Sequence, residues 1–312
     1  MVNQKVSGSE IWGPVSGQLL QSFAPSGQRH PWGCLAYSPD GKRVAAGSND
    51  GIASVWDVAS GRQVITLTAH TNMIRGVAFS PDGKRLATGS LDGTAKVWDI
   101  ESGKALVTFG GHIHPEGTAQ TNSVWSIAFS PDGKRVATGG FDAVRVWDAA
   151  SGQELFSVPG EGNALIFTGL AFSPDGKYLA VGQFNGLAVL WDAATGKLVR
   201  TLSGHSAAVA QVVFSADGMR LASASFDKLA KMWDVKTGQE LASLYGNAAN
   251  VYSVSFSPDG THLASAGTDG TARIYTLQMQ DLIKLAHSRV TRPLSTEECR
   301  KYLHVETCPP AP

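Results

Sequence analysis

The sequence predicts an all-β protein assembled from a ring of small four-stranded antiparallel sheets, and three observations predict it. A unit typified by FSPDGKRLATGSLDGTAKVWDI, from Phe79 to Ile100, returns with close relatives beginning at Tyr37, Phe129, Phe172, Phe214 and Phe256. Large aromatic residues close one strand of each unit, at Trp56, Trp98, Trp147, Trp191, Trp233 and Tyr275, spaced about 42 to 49 residues apart. Within each unit, short alternating apolar runs are separated by turn residues, the pattern of half-buried strands.

The elements of one unit follow in order. VAFS alternates into SPDG, where Ser, Pro and Gly occupy the first, second and fourth positions of a tight turn. RLATGS is a second strand, and Asp92-Gly93 a hairpin turn that accepts positive φ. TAKVWD is a third strand, ESGK a polar turn and ALVTF a fourth strand. Four such strands cannot bury both faces alone, whereas neighbouring units stacked on one another can. The period is that of a four-stranded β-propeller blade, ~40–45 residues.

The bulk numbers restrict function by exclusion. The chain has 312 residues, 43% of them hydrophobic, with 26 basic and 26 acidic side chains. Balanced charge provides no global field toward nucleic acid or membrane. No apolar run approaches the ~18 residues of a membrane span, and the first twenty residues carry no secretory pattern. Cys34, Cys299 and Cys308 are too few for a disulfide framework, so a reducing cytoplasm is expected, although Cys299 and Cys308 can pair in an oxidising setting.

VWD at Val55–Asp57 and Val97–Asp99, GH at Gly111-His112 and Gly204-His205, and the SPDG turns make the chain resemble the WD-repeat β-propeller family over about residues 8 to 277. The resemblance implies a buried His, Ser/Thr, Asp and Trp that hydrogen-bond in series within a blade. Three repeats carry all four: His70/Thr88/Asp92/Trp98, His112/Thr138/Asp142/Trp147 and His205/Ser223/Asp227/Trp233. The first repeat has Ala46 at the hydroxyl position, with His30 out of step. The fourth has Asn163, Val181 and Asn185 around Trp191, and the last has Asn247 and ends on Tyr275. Recurrence on several blades marks the His–Asp–Ser/Thr sets as structural, since buried polar groups need partners; a catalytic site would not be copied in this way.

The repeats are expected near 30–68, 69–110, 111–158, 162–203, 204–245 and 246–277, with a partial repeat at 8–23, forming one propeller over 1–277. Two closures stay open. In the preferred one, Leu19–Phe23 supplies the outer strand beside Thr271–Thr276 and closes six blades; in the other, Val2–Phe23 forms a seventh blade lacking its inner strand. The chain is also readable as a piece of a longer protein. Residues 278–312 are expected to form a short helical clasp, with a capping box at Ser295 and Glu298, and a disordered end. This tail resembles those of bacterial WD-repeat domains at the C-terminus of signalling NTPases and kinases.

Function is expected on one face of the ring. Two positions before the inner-strand hydrophobe the sequence reads Gly33, Arg75, Trp125, Thr168, Ala210 and Tyr252, and Trp32 adjoins the first of these. Just before the hairpin turn it reads Asn49, Leu91, Phe141, Phe184, Phe226 and Thr268. Arg, Trp and Tyr dominate binding hot spots, and a contiguous apolar rim marks an interaction surface. Arg75, Trp125, Tyr252, Thr168, Trp32, Leu91, Phe141, Phe184 and Phe226 are therefore the candidate partner-binding residues. The insertion HIHPEGTAQTN is expected as a recognition loop, since His114 and Glu116 make too small a ligand set for a metal. Lysines and arginines of the SPDG turns are offset by Asp40, Asp82, Asp132 and Asp175 and lack interleaved aromatics, so that face is expected to be solvated, with no nucleic-acid role. The expected function is a non-catalytic, monomeric module, without cofactor or metal, that binds a protein or peptide in signalling. A sensor domain of a larger signalling NTPase or kinase is the alternative, and a propeller enzyme a more distant one.

Overall fold

The computed structural model describes residues 2–5, 8–12, 18–23, 32–68, 70–112, 123–159 and 167–278. The expected recognition loop after His112, the helical tail and the Cys299–Cys308 pair lie outside the described residues.

Among the described residues, strands pair antiparallel in chain order within seven sheets. The first contains β1 (Val2–Lys5), β2 (Gly8–Trp12) and β3 (Leu19–Phe23). Six sheets follow, one per repeat, and are called the first to sixth blades here. The first blade is β4 (Trp32–Tyr37), β5 (Arg43–Ser48), β6 (Ile52–Asp57) and β7 (Gln63–Thr68). The second is β8 (Ile74–Phe79), β9 (Arg85–Ser90), β10 (Ala95–Asp99) and β11 (Ala105–Phe109). The third is β12 (Val124–Phe129), β13 (Arg135–Gly140), β14 (Ala143–Asp148) and β15 (Glu154–Pro159). The fourth is β16 (Phe167–Phe172), β17 (Tyr178–Gln183), β18 (Ala188–Asp192) and β19 (Leu198–Leu202). The fifth is β20 (Val209–Phe214), β21 (Arg220–Ser225), β22 (Ala230–Asp234) and β23 (Glu240–Leu244). The sixth has three strands, β24 (Val251–Phe256), β25 (His262–Gly267) and β26 (Ala272–Thr276).

The fold is thus an all-β propeller in which six blades carry the repeats, and the expected ring closure requires correction. β3 pairs with β2, with Ser9 opposite Phe23, and the order of the last sheet ends at β26. The N-terminal segment therefore forms a seventh, three-stranded sheet and does not complete the sixth blade. The physical reason lies in Val2–Trp12: these residues already provide two alternating strands, so β3 finds a partner locally at little loop-closure cost.

Blades join through their cores. The inner strands β4, β8, β12, β16, β20 and β24 contact one another in succession. Gly169 shows how closely they approach: a Cβ there would lie 2.6 Å from the Gln211 Cα and 3.0 Å from the Ala210 carbonyl oxygen. The last apolar residue of an outer strand packs on the aromatic of the next blade. Phe109 lies 5.2 Å from Trp147, ring to ring, and Leu67 shares a core with Trp98. Phe23 lies 6.1 Å from Trp56, so the N-terminal sheet docks on the first blade through the same joint. The far face of the sixth blade differs. Ile274 is 41% exposed, whereas its counterparts Val97, Val146 and Leu190 are each 0% exposed beneath the following blade.

A second joint runs along the SPDG ends of the strands. Arg85, Arg135 and Arg220 begin the second strands of their blades and lie over Phe129, Phe172 and Phe256 of the next, at 5.4, 5.7 and 5.5 Å. Each also donates to a carbonyl of the next blade: Gly133 at 2.8 Å, Ala193 at 2.5 Å and Gly260 at 3.2 Å. The fourth blade has Tyr178 at this position, packed on the core of the fifth.

Candidate functional site

The polar relays come first because they hold the loops of the candidate face. In the second blade, His70 Nδ1 lies 2.9 Å from Asp92 Oδ2 and Nε2 lies 2.8 Å from Thr88 Oγ1, which also accepts from Trp98 Nε1 at 2.8 Å. Nδ1–H donates to the carboxylate, so Nε2 accepts from the hydroxyl and the hydroxyl from the indole. His112, Asp142, Thr138 and Trp147 repeat the chain at 2.9, 2.8 and 2.8 Å. His205, Asp227, Ser223 and Trp233 repeat it at 2.7, 2.7 and 2.8 Å. Burial works to raise the Asp92 carboxyl, but hydrogen bonds from His70, Thr94 and the Thr71 amide outweigh it and hold it well below the usual range. Asp227 is lowered by the same competition, with burial opposed by His205 and the Ser206 amide. Burial lowers His205, against the pull of Asp227. The sixth blade, incomplete by its sequence, has a substitute: Asn247 Nδ2 donates to the Tyr275 hydroxyl at 3.1 Å, and Ser265 Oγ to Asn247 Oδ1 at 3.2 Å.

The positions read around the ring share a backbone feature that the sequence did not show. Gly33, Arg75, Trp125, Thr168, Ala210 and Tyr252 each lie where the inner strand slips register against its neighbour. A β-bulge bends the strand and re-aims the side chain of the extra residue. Repeated in every blade, it forms a ring of six bulges at one end of the inner strands, opposite the SPDG turns.

The structure pairs some of the candidate residues and leaves others open. The Arg75 guanidinium lies 5.0 Å from the centre of the Trp125 ring, and Phe141 meets Trp125 edge-on at 5.8 Å. Phe226 packs against Tyr252 at 4.8 Å. Phe184 and Tyr252 are 50% and 52% exposed, while Leu91, Phe141 and Phe226 are half-buried. The Leu91 and Phe226 amides donate to the Met73 and Ala208 carbonyls at 2.8 and 2.9 Å, tying the hairpin turns to the entry of the inner strands. Thr168 and Trp32 lie in β16 and β4, and their side chains fall outside the described residues.

At the other end of the strands, Lys42, Lys84, Lys134 and Lys177 are exposed, whereas Arg85, Arg135 and Arg220 serve the joints between blades. Reading that face as simply solvated missed these arginines; the Arg-to-Phe spacing across one repeat was the available signal. The Asp of each WD pair also has a visible task. Asp57 Oδ1 accepts from the Ser60 amide at 2.8 Å and its hydroxyl at 2.6 Å, and Asp99, Asp148, Asp192 and Asp234 close the same turn with Ser102, Ser151, Thr195 and Thr237. Among the described residues no three His, Cys, Asp or Glu side chains converge as a metal site would require, and no helix is long and apolar enough to cross a membrane.

Comparison with known proteins agrees with this architecture. A stretch of 41 residues, 13% of the chain, is 49% identical to a probable serine/threonine-protein kinase PkwA of Thermomonospora curvata, and covers 6% of that protein. A stretch of the same length is 46% identical to periodic tryptophan protein 2 of Arabidopsis thaliana and covers 5% of it. The WD domain, G-beta repeat family matches residues 17–57, 61–99, 103–148, 152–192, 196–234 and 238–276, each span taking one outer strand and the three inner strands of the next blade. The chain therefore belongs to the WD domain, G-beta repeat family.

Proposed function

We propose that this protein is a non-catalytic recognition module that binds a protein or peptide on the bulge-ring face. The observation that carries the reading is the concentration of Arg75, Trp125, Phe141, Phe184, Phe226 and Tyr252 at that end, with Phe184 and Tyr252 half in solvent. Large amphipathic side chains on a rigid scaffold offer contact area at low ordering cost. Family membership supports the same reading, since WD-repeat propellers generally serve as protein-interaction scaffolds. The described polar constellations recur from blade to blade and have structural partners, which weighs against catalysis at those residues.

The kinase relative supports a signalling role, with the propeller acting as sensor for a catalytic protein, fused or separate, and the scarcity of cysteine supports a cytoplasmic setting. The chain spans a small part of that relative, so this second reading rests on the repeat alone.

The test places a photo-crosslinking amino acid at Phe184, or at Lys134 on the opposite face, in otherwise wild-type and Trp125→Ala/Tyr252→Ala chains. Discrete adducts from Phe184 that vanish in the double variant are expected. Adducts that form equally from Lys134, or survive the double variant, would contradict the assignment.

A further inference from the structure

Among the arginines that lie over aromatic rings, Arg75 differs from the rest in one respect. Arg85, Arg135 and Arg220 each lie over a Phe and also donate to a carbonyl of the next blade, so their charge is both stacked and hydrogen-bonded. Arg145, Arg200 and Arg273 likewise have an ion pair or carbonyl partners at their terminal nitrogens. Arg75 lies over Trp125, and its terminal nitrogens make no hydrogen bond or ion pair among the described residues. Its Nε is buried without a partner, as are those of Arg145, Arg200 and Arg273, but beside Arg75 the indole N–H of Trp125 is buried without a partner as well.

Two neighbouring donors without acceptors are costly in a rigid site, because each has lost water and gained nothing in exchange. Both are held by structure rather than by a partner: each sits on a bulge of adjoining inner strands, and Phe141 braces the far side of the indole. A guanidinium fixed against a ring retains a planar fork of donors, which matches the two oxygens of a carboxylate better than a single acceptor. The indole, its N–H buried beside that fork, adds no acceptor that could compete for it. A ligand that satisfies this set must bring acceptors and negative charge.

We infer that Arg75 and Trp125 form a subsite for a carboxylate of the bound peptide, an Asp or Glu side chain seated between the second and third blades. This rests on the proposed peptide-binding face and specifies its chemistry. Tyr252 with Phe226, and the exposed Phe184, would then take apolar side chains of the same peptide elsewhere on the ring.

The test uses a library of random dodecapeptides displayed through their C-terminal ends, selected on the wild-type chain, on Arg75→Gln and on Arg75→Lys. Peptides from the wild-type selection are expected to share one acidic residue. Replacing that residue by its amide, or Arg75 by Gln, is expected to weaken binding about ten- to a hundred-fold, as the loss of a charged, two-point hydrogen bond does. Lysine, with charge but no fork, recovers only part of the loss. A second library, displayed through peptide N-termini, offers a free terminal carboxylate; a requirement for it would also support the subsite. Wild-type binders with no acidic preference that still fail on Trp125→Ala/Tyr252→Ala would overturn the subsite and leave the peptide-binding face standing. Binders indifferent to both sets of substitutions, or no binders at all, would overturn both. Because the amide replacement is made in the peptide and measured on the wild-type chain, the result does not depend on how well the Arg75 variants fold.

Discussion

Replacing Thr88 with Val probes the relay at the point where its shape is unchanged and its chemistry is lost. The hydroxyl lies 2.8 Å from His70 Nε2 and 2.8 Å from Trp98 Nε1, and Thr88 is 0% exposed. Valine fills the same volume, so no cavity opens. What remains is a buried imidazole nitrogen and a buried indole N–H, each without its partner. At about 1–3 kcal/mol for each orphaned group, the substitution costs about 2–6 kcal/mol. That corresponds to a fall of about 3–9 °C in Tm for a chain of this size. Thr88→Ser should cost far less, because Ser223 performs the same task in the fifth blade. Urea titration of the three proteins, with a Trp98→Phe arm to close a double-mutant cycle, separates the hydrogen-bond term from packing. If Thr88→Val lies within about 0.5 kcal/mol of the wild type, or costs no more than Thr88→Ser, the relay is not a stabilising unit and the reasoning fails.

Other consequences follow from the same geometry. Arg135→Ala removes hydrogen bonds to the Ala193 and Gly176 carbonyls and the contact with Phe172, and is expected to lower stability by about 1–3 kcal/mol in a chemical-denaturation experiment. Lys228 is the one described non-glycine residue at positive φ, 74°, in the hairpin turn where the first, second, fourth and sixth blades carry Gly51, Gly93, Gly186 and Gly270; Lys228→Gly should leave stability unchanged or raise it by up to about 1 kcal/mol, and a clear loss of Tm would refute this. The folded chain holds the His205 and Asp227 protons less tightly than the unfolded chain, so unfolding takes up protons and stability declines as pH falls. The decline starts near the ordinary histidine value of about 6.5 and steepens below about 4, where turn carboxylates such as Asp175 and Asp259, lowered to about 2 mainly by Ser173 and Ser257, lose their advantage. In His205→Gln the limb between about pH 6.5 and 5 should flatten, as read by Tm against pH. Native-state hydrogen exchange should show the second, third and fifth blades opening last, since they hold complete relays; longest protection in the fourth, with Val181 at the hydroxyl position, would reverse that order.

The blade was legible because its signals are local. SPDG, Asp-Gly and the WD pair each specify a turn or strand end within a few residues, and their recurrence sets the period. The relay residues were legible for the same reason once the repeat was aligned. The chain ends were harder to read. β3 resembles every other outer strand, and whether it pairs with β2 or β26 depends on distances between segments far apart in sequence. The face read from the ring positions was visible as residue types, yet the bulges that present them were not, because a bulge is a register between two strands and leaves no mark in either alone. Arg85 and Arg135 were read as surface charge, and Arg220 was not singled out, because their partners lie one whole repeat away.

The most direct test of the account is a hydrogen-exchange comparison of the chain alone and the chain saturated with a peptide selected on it. Slowed exchange is expected around the bulges, near residues 73–76, 123–126 and 250–253, and in the hairpin turns beside them, with the SPDG turns unchanged. Protection centred on the SPDG turns instead would place binding on the opposite face and contradict it.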